Sequence, residues 1–151
     1  MSRKKIALIG GGQIGGNLAL LCAQKELGDV LIYDIPQAEG MIKGKALDIS
    51  QLNPLGGYDV AISGSSDPKD LKDSDVVIIT AGIPRKPGMN REDLLEINIK
   101  IITDVAKNVK KYAPDAFVIV LSNPLDAIVY SFFKVSGFNK NKVIGMAGVL
   151  D

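Results

Sequence analysis

The shape of the apolar runs constrains this chain more than any other feature. They are short, β-branched and continuous: Ile6–Ile9, Val30–Tyr33, Val60–Ile62, Val76–Thr80, Phe117–Leu121 and Val143–Met146. A strand with one face in water alternates apolar and polar residues, whereas a strand apolar on both faces must be covered on both. A parallel sheet flanked by helices meets that demand. The intervals carry helical periodicity. Ile14, Leu18, Leu21 and Cys22 form one stripe, and residues 38–52 form a looser one weakened by Gly40 and Gly44. Leu94, Leu95, Asn98, Ile101, Ile102, Val105 and Val109 form a long stripe, with Asn90 placed to cap it and Pro114 to stop it. Ile128, Val129, Phe132, Phe133 and Val135 form a shorter fourth. Between Ile62 and Val76 there is room for a polar loop and one helical turn. This alternation predicts an α/β fold, a doubly wound parallel sheet of six strands with helices on both faces.

The chain of 151 residues is the size of one domain. With 46% hydrophobic and 23% charged residues it has the composition of a folded protein. Lys and Arg nearly balance Asp and Glu, leaving a net charge of +1, so neither a nucleic-acid nor a membrane-surface partner is expected. The absence of Trp, with four Tyr and four Phe, leaves few platforms for stacking bases. No apolar run reaches the ~20 residues needed to span a bilayer. The start imitates a signal peptide, but Ile6–Ile9 runs at once into Gly10-Gly11-Gly12, too soon for an apolar export segment. A lone cysteine, Cys22, permits no disulfide within the chain and suits a reducing compartment; a cytoplasmic location is expected. Histidine is absent altogether, so these residues contain no His-based acid–base pair or His metal site, and no metal site is expected.

The first strand-to-helix junction reads Ile9-Gly10-Gly11-Gly12-Gln13-Ile14-Gly15. Gly10, Gly12 and Gly15 fit G-x-G-x-x-G between a predicted strand and a predicted helix, the context that gives this motif meaning. Gly10 permits a tight turn, Gly12 lets backbone approach a pyrophosphate, and Gly15 lets helix pack closely on strand. The N–H groups and positive dipole end of the helix then face the phosphates. Asp34 ends the second strand about twenty residues later, where a carboxylate accepts hydrogen bonds from both ribose hydroxyls and repels a 2′-phosphate. No Arg or Lys follows Asp34 until Lys43. The predicted cofactor is therefore NAD, held by a Rossmann-type domain covering residues 1–151.

Three further features lie at predicted strand ends. The loop after Thr80 carries Arg85, Lys86 and Arg91 around Pro84, Pro87 and Gly88. Two planar guanidinium forks there could grip both ends of a small dianion. A solvated basic loop accounts for the same residues equally well. Asn98 falls on the buried stripe of its helix, where the amide needs partners from a ligand or a neighbouring loop. Leu121-Ser122-Asn123-Pro124 closes the fifth strand, which places Asn123 beside the cleft. Its Asn-Pro bond is a candidate for the cis form, although most X-Pro bonds are trans. Tyr130 and Lys134 match the Y-x-x-x-K of short-chain dehydrogenases, but the T-G-x-x-x-G-x-G turn of those enzymes is missing, so the pair is read as part of an ordinary amphipathic helix.

Taken together, Gly10–Gly15, Asp34, the run from Thr80 to Leu94, Asn98 and Ser122-Asn123-Pro124 resemble the lactate/malate dehydrogenase family along the whole chain. The likeness is closest to the malate enzymes of its lactate-dehydrogenase-like bacterial branch. The Arg85-Lys86-Pro87-Gly88-Met89-Asn90-Arg91 segment is the specific part. The resemblance implies that Gly10, Gly11, Gly12, Gln13, Ile14 and Gly15 hold the pyrophosphate and Asp34 the adenosine ribose. Asn98 and the backbone of Leu121, Ser122 and Asn123 would contact the nicotinamide-ribose half. The loop from Gly82 to Arg91 would be a lid. Arg85 would bind the far carboxylate of malate or oxaloacetate, Arg91 would polarise the reacting C–O group, and Asn123 would hydrogen-bond the substrate. Lactate enzymes are similar but carry Gln in place of Arg85. The resemblance further implies hydride transfer to and from a nicotinamide with a His as general base, and assembly into dimers or tetramers. Asp151 matches the carboxylate that orients that His. The His and a further substrate-binding Arg would follow in a second, catalytic domain not contained in these residues. The chain alone is then expected to turn over no malate. A lactate-type dehydrogenase, an NAD-dependent glycosidase and a stand-alone NAD-sensing or interaction module are the alternatives.

Overall fold

A computed structural model describes residues 3–84 and 87–148. Six strands, β1 (Lys5–Ile9), β2 (Asp29–Tyr33), β3 (Ile62–Ser65), β4 (Val76–Ile79), β5 (Phe117–Val120) and β6 (Val143–Gly145), form one parallel sheet in the order β3-β2-β1-β4-β5-β6. The helices are α1 (Gln13–Gln24), α2 (Glu39–Gln51), a single turn α3 (Asn53–Gly56), α4 (Arg91–Tyr112) and α5 (Leu125–Ser136). The doubly wound sheet is the one the apolar runs imply.

Side-chain parity divides the core into two layers. Ile6, Leu8, Val30 and Ile32 pack with Ala19, Cys22, Ala23, Ile42 and Ala46 of α1 and α2. Ala7, Ile9, Leu31, Val77 and Ile79 face the other way, onto Ile102, Val105 and Val109 of α4 and Ile128 and Phe132 of α5. Both faces of β1 and β2 are buried, and β4 and β5 bury one face and half-bury the other, which is why the runs are continuous rather than alternating. Helix α4 begins as predicted. Asn90 accepts a hydrogen bond from the Asp93 N–H at 2.7 Å while Asp93 accepts one from the Asn90 N–H, a reciprocal cap.

Two local expectations are corrected. The third strand is Ile62–Ser65, not Val60–Ile62. It lies at the sheet edge and carries polar residues, and α2 crosses it so closely that a Cβ on Gly64 would stand 2.6 Å from the Ile42 carbonyl oxygen. An edge strand crossed at Gly leaves little apolar signal, while Val60 is buried just ahead of it. The inward stripe of α1 is also different. Gly15, Ala19, Cys22 and Ala23 are buried, whereas Ile14 is 57% and Leu21 47% exposed. The helix sits so near β1 that only small side chains fit beneath it, and the large ones turn out. The strands β4, β5 and β6 each stop one residue short of their predicted ends. A 3-10 turn, Pro68–Leu71, fills the stretch between β3 and β4.

Candidate functional site

The sheet register places the site. Ile9 is level with Tyr33 and with Ile79, and Ile79 with Val120. The next residues, Asp34, Gly10, Thr80 and Leu121, therefore emerge in one row at the carboxyl edge. The ladder continues through Gly10 N–H to Tyr33 O, Thr80 N–H to Ile9 O and Leu121 N–H to Ile79 O, each 2.8 Å. Strand order reverses between β1 and β4, and ligands of open α/β sheets bind outside the strand ends at such a switch point.

The turn after β1 is fixed from several sides. Gly10 has φ +106°, a conformation that favours glycine, and a Cβ there would meet the Ala81 N at 2.7 Å. The Thr80 hydroxyl donates to the Gly10 carbonyl at 3.0 Å. A Cβ on Gly15 would overlap that same carbonyl, and one on Gly11 would overlap the Ile42 side chain. Around Gly12 there is open space. Helix α1 starts at this opening with no side-chain cap and no acidic residue in its first turn, so its leading N–H groups stay available to an anion. The turn, the uncapped helix and the space beside Gly12 fit a pyrophosphate.

Asp34 lies against this turn. Its Oδ2 accepts from the Gly11 N–H at 2.7 Å and its Oδ1 from the Ile35 N–H at 2.8 Å. Each carboxylate oxygen retains a second acceptor position, the number a ribose diol requires. Burial, aided by the charges of Asp67 and Asp34, pushes the neighbouring Tyr33 phenol up from its ordinary pKa, so it stays neutral. Burial likewise pushes the Cys22 thiol up, which leaves it unreactive in the α1 core.

On the other side of the switch point, Asn98 bonds to the neighbouring loop and to the end of β5. It is 3% exposed. Its Oδ1 accepts from the Ile83 N–H at 2.9 Å and its Nδ2 donates to the Asn123 carbonyl at 3.0 Å. The Ser122 hydroxyl donates to the Ala81 carbonyl at 2.6 Å. The base of the 81–90 loop is thus tied to the end of β5. The Asn123-Pro124 bond is cis. Arg91, Asn123, Leu94 and Leu95 line one cleft of about 400 Å³. Arg85 and Asp151 lie outside the described residues.

Two residues here make contacts that no sequence signal assigns to them. Thr80 ties the turns of β1 and β4 together, and Lys45 of α2 reaches across to the glycine turn, its Nζ donating to the Gly11 and Gly12 carbonyls at 2.6 and 2.9 Å. Lys45 belongs to no motif, and only the packing of α2 over the turn makes it visible; Thr80 opens the run that carries the resemblance, but residue order does not reveal its bond to the Gly10 carbonyl. Lys134 lies over the exposed Tyr130 ring at 5.3 Å, a surface cation–π pair as the amphipathic reading of that helix expects. Among the described residues no cluster of acidic, His or Cys side chains is arranged to hold a metal, and no helix is long and apolar enough to cross a membrane.

A glycine turn on an open helix end, with an acid at the next strand, defines a dinucleotide-binding domain of the doubly wound class. Residues 4–145 match the family model described as lactate/malate dehydrogenase, NAD binding domain, and the chain belongs to that family. It is 66% identical over 149 residues to a malate dehydrogenase of Myxococcus xanthus, covering 99% of this chain and 48% of that protein. It is 60% identical over 151 residues to a malate dehydrogenase of Geobacter sulfurreducens, covering 100% of this chain and 47% of that protein. Among solved structures, a lactate dehydrogenase of Cryptosporidium parvum complexed with lactic acid and nicotinamide adenine dinucleotide superposes with a TM-score of 0.92 at 51% identity, covering 99% of this chain and 47% of that one. The malate dehydrogenase of the same organism gives 0.91 at 56%, covering 98% and 46%. The chain spans about half the length of the curated relatives it matches.

Proposed function

We infer that the chain is the NAD-binding half of a malate dehydrogenase that interconverts malate and oxaloacetate. One observation carries this reading: the open N-terminus of α1 and the Asp34 carboxylate meet at the Gly11 peptide, so sites for a pyrophosphate and a ribose lie side by side. The names of the two curated relatives above, both malate dehydrogenases, support the substrate.

Hydride transfer between C2 of the hydroxy acid and the nicotinamide ring is the chemistry the cofactor supplies when bound. The residues here bind and orient. The turn from Gly10 to Gly15 holds the pyrophosphate: Gly10 and Gly11, whose N–H groups are bonded to Tyr33 and Asp34, shape it, Gly12, Gln13, Ile14 and Gly15 offer the backbone donors, and Asp34 takes the ribose. Asn98 and the backbone from Leu121 to Asn123 line the nicotinamide-ribose side. Arg91 and Asn123 share a cleft, where a guanidinium draws electron density from the reacting oxygen and an amide fixes its orientation. Arg85 pairs with the carboxylate remote from C2. Asp151 orients a His supplied by a second domain, which makes residues 1–151 alone inactive.

Exposed Leu21, Met41 and Leu47 on the α1–α2 side, and Ile144 and Met146 at the β6 edge, support a self-associating protein, and the lone buried Cys22 suits a cytoplasmic location. A lactate-type enzyme is the second reading, favoured by the equally good superposition on a lactate dehydrogenase.

Calorimetric titration of the full-length protein with NADH and NADPH tests the cofactor. NADH should bind at least about tenfold more tightly, because a 2′-phosphate would meet the Asp34 carboxylate. Equal affinity, or none for either, overturns the role given to Asp34.

A further inference from the structure

Lys45 sits on a helix that none of the nucleotide motifs includes, yet its ammonium makes two of the contacts that shape the glycine turn. Nζ donates to the Gly11 carbonyl at 2.6 Å and to the Gly12 carbonyl at 2.9 Å. The peptides joining Gly11 to Gly12 and Gly12 to Gln13 are trans. In a planar trans peptide the C=O and the following N–H point in opposite directions. Drawing the Gly11 carbonyl toward Lys45 therefore aims the Gly12 N–H away from it, toward the open side of the turn; the Gly12 carbonyl is shared between Lys45 and the Gly16 N–H of α1 at 3.0 Å, and the Gln13 N–H points away likewise. Gly11 is then held through both of its flanking peptides, the Gly10–Gly11 unit by its N–H on the Asp34 carboxylate at 2.7 Å and the Gly11–Gly12 unit by its C=O on Lys45. Bonds to a charged donor are stronger than neutral ones, so the orientation resists relaxing when no ligand is bound.

We propose that Lys45 is a positioning residue for the cofactor's pyrophosphate: it orients the Gly11 and Gly12 peptides so that their donors face the phosphates, and adds a fixed positive charge behind them. This inference rests on the dinucleotide reading of the site. It predicts that Lys45 acts on phosphate groups and leaves recognition of the nucleoside untouched, because the ribose contact belongs to Asp34 and a Lys45 variant retains it.

The test uses the full-length protein with NADH, ADP and adenosine as probes, comparing wild type with Lys45→Met, Lys45→Gln and Lys45→Arg. A hydrogen bond to a charged group contributes enough for Lys45→Met and Lys45→Gln to weaken NADH and ADP about tenfold or more. Adenosine should bind as it does to wild type, and Lys45→Arg, which keeps the charge and two donors, should restore most of the ADP affinity. The ratio of ADP to adenosine affinity is the decisive readout, because general loosening of the fold weakens both probes alike. Two neutral variants guard against one that fails to fold. If wild type binds NADH and every folded neutral variant keeps the wild-type ratio, the role of Lys45 is overturned while the dinucleotide reading stands. If wild type binds neither NADH nor ADP, the dinucleotide reading itself falls.

Discussion

The two strand-to-helix turns at the switch point solve different recognition problems. The turn from β1 into α1 consists of three glycines, and Asp34, Lys45, Thr80 and close packing under Gly15 hold it on every side. The turn from β4 into α4 is much longer and carries Arg85 and Arg91, and its base is held by Asn98 and Ser122. The first turn recognises with backbone, whose donors are aimed only if the peptides are fixed. The second, on the proposed reading, recognises with long side chains carried on a longer loop. A pyrophosphate common to many enzymes suits the rigid turn, and the feature that distinguishes one substrate from another suits the loop.

Changes in the two turns should accordingly have different signatures. The largest effect is expected for Arg85→Gln in the full-length protein. An unpaired buried guanidinium costs ~3–5 kcal/mol, so removing it should move the ratio of kcat/KM for oxaloacetate over pyruvate by ~2–4 decades without changing NADH affinity. Oxaloacetate turnover that survives intact would show that Arg85 does not read the far carboxylate.

The same Gly-to-Ala change made in each turn sharpens the contrast. Gly15→Ala drives a methyl into the Gly10 carbonyl, and because backbone cannot yield as a side chain does, the expected loss is about 3 kcal/mol in urea denaturation. Gly88 has φ +87° with open space around it, so Gly88→Ala should cost about 1 kcal/mol through backbone conformation alone. Equal losses would remove the distinction between a packed turn and an adaptable one. The smallest effect is expected for Asn90→Ala, which deletes one half of the reciprocal cap on α4 and should lower stability by about 1 kcal/mol on thermal unfolding. A loss of NADH affinity larger than that would mean the cap also governs the cofactor side.

Much of this arrangement is legible in the chain itself, and the division follows the range of the interactions involved. The glycine turn, Asp34 and the Asn90 cap depend on neighbours within a strand, a turn or one helical turn, so residue order reveals them. Asn98 was readable only as an amide in need of partners; that it grips Ile83 and Asn123 is decided by the packing of α4 beside β5. The α1 stripe misleads because large apolar residues ordinarily mark a buried face, whereas here the helix approaches β1 too closely to accept them. The polar edge strand β3 is displaced from its apolar flank for a related reason, with α2 crossing it at Gly64.

The sequence by itself determined a six-strand parallel sheet flanked by helices, a glycine turn between strand and helix, and an acid at the end of the next strand. Those features are written in hydrophobic period, glycine spacing and the charge at a strand end, all local quantities. Tertiary structure alone decided that Lys45 reaches the glycine turn from another helix, that Asp34 supports the turn through the Gly11 N–H, and that Arg91 and Asn123 share one cleft. Such contacts join residues far apart in the chain, and only the register of the strands and the close approach of the helices bring them within hydrogen-bonding distance.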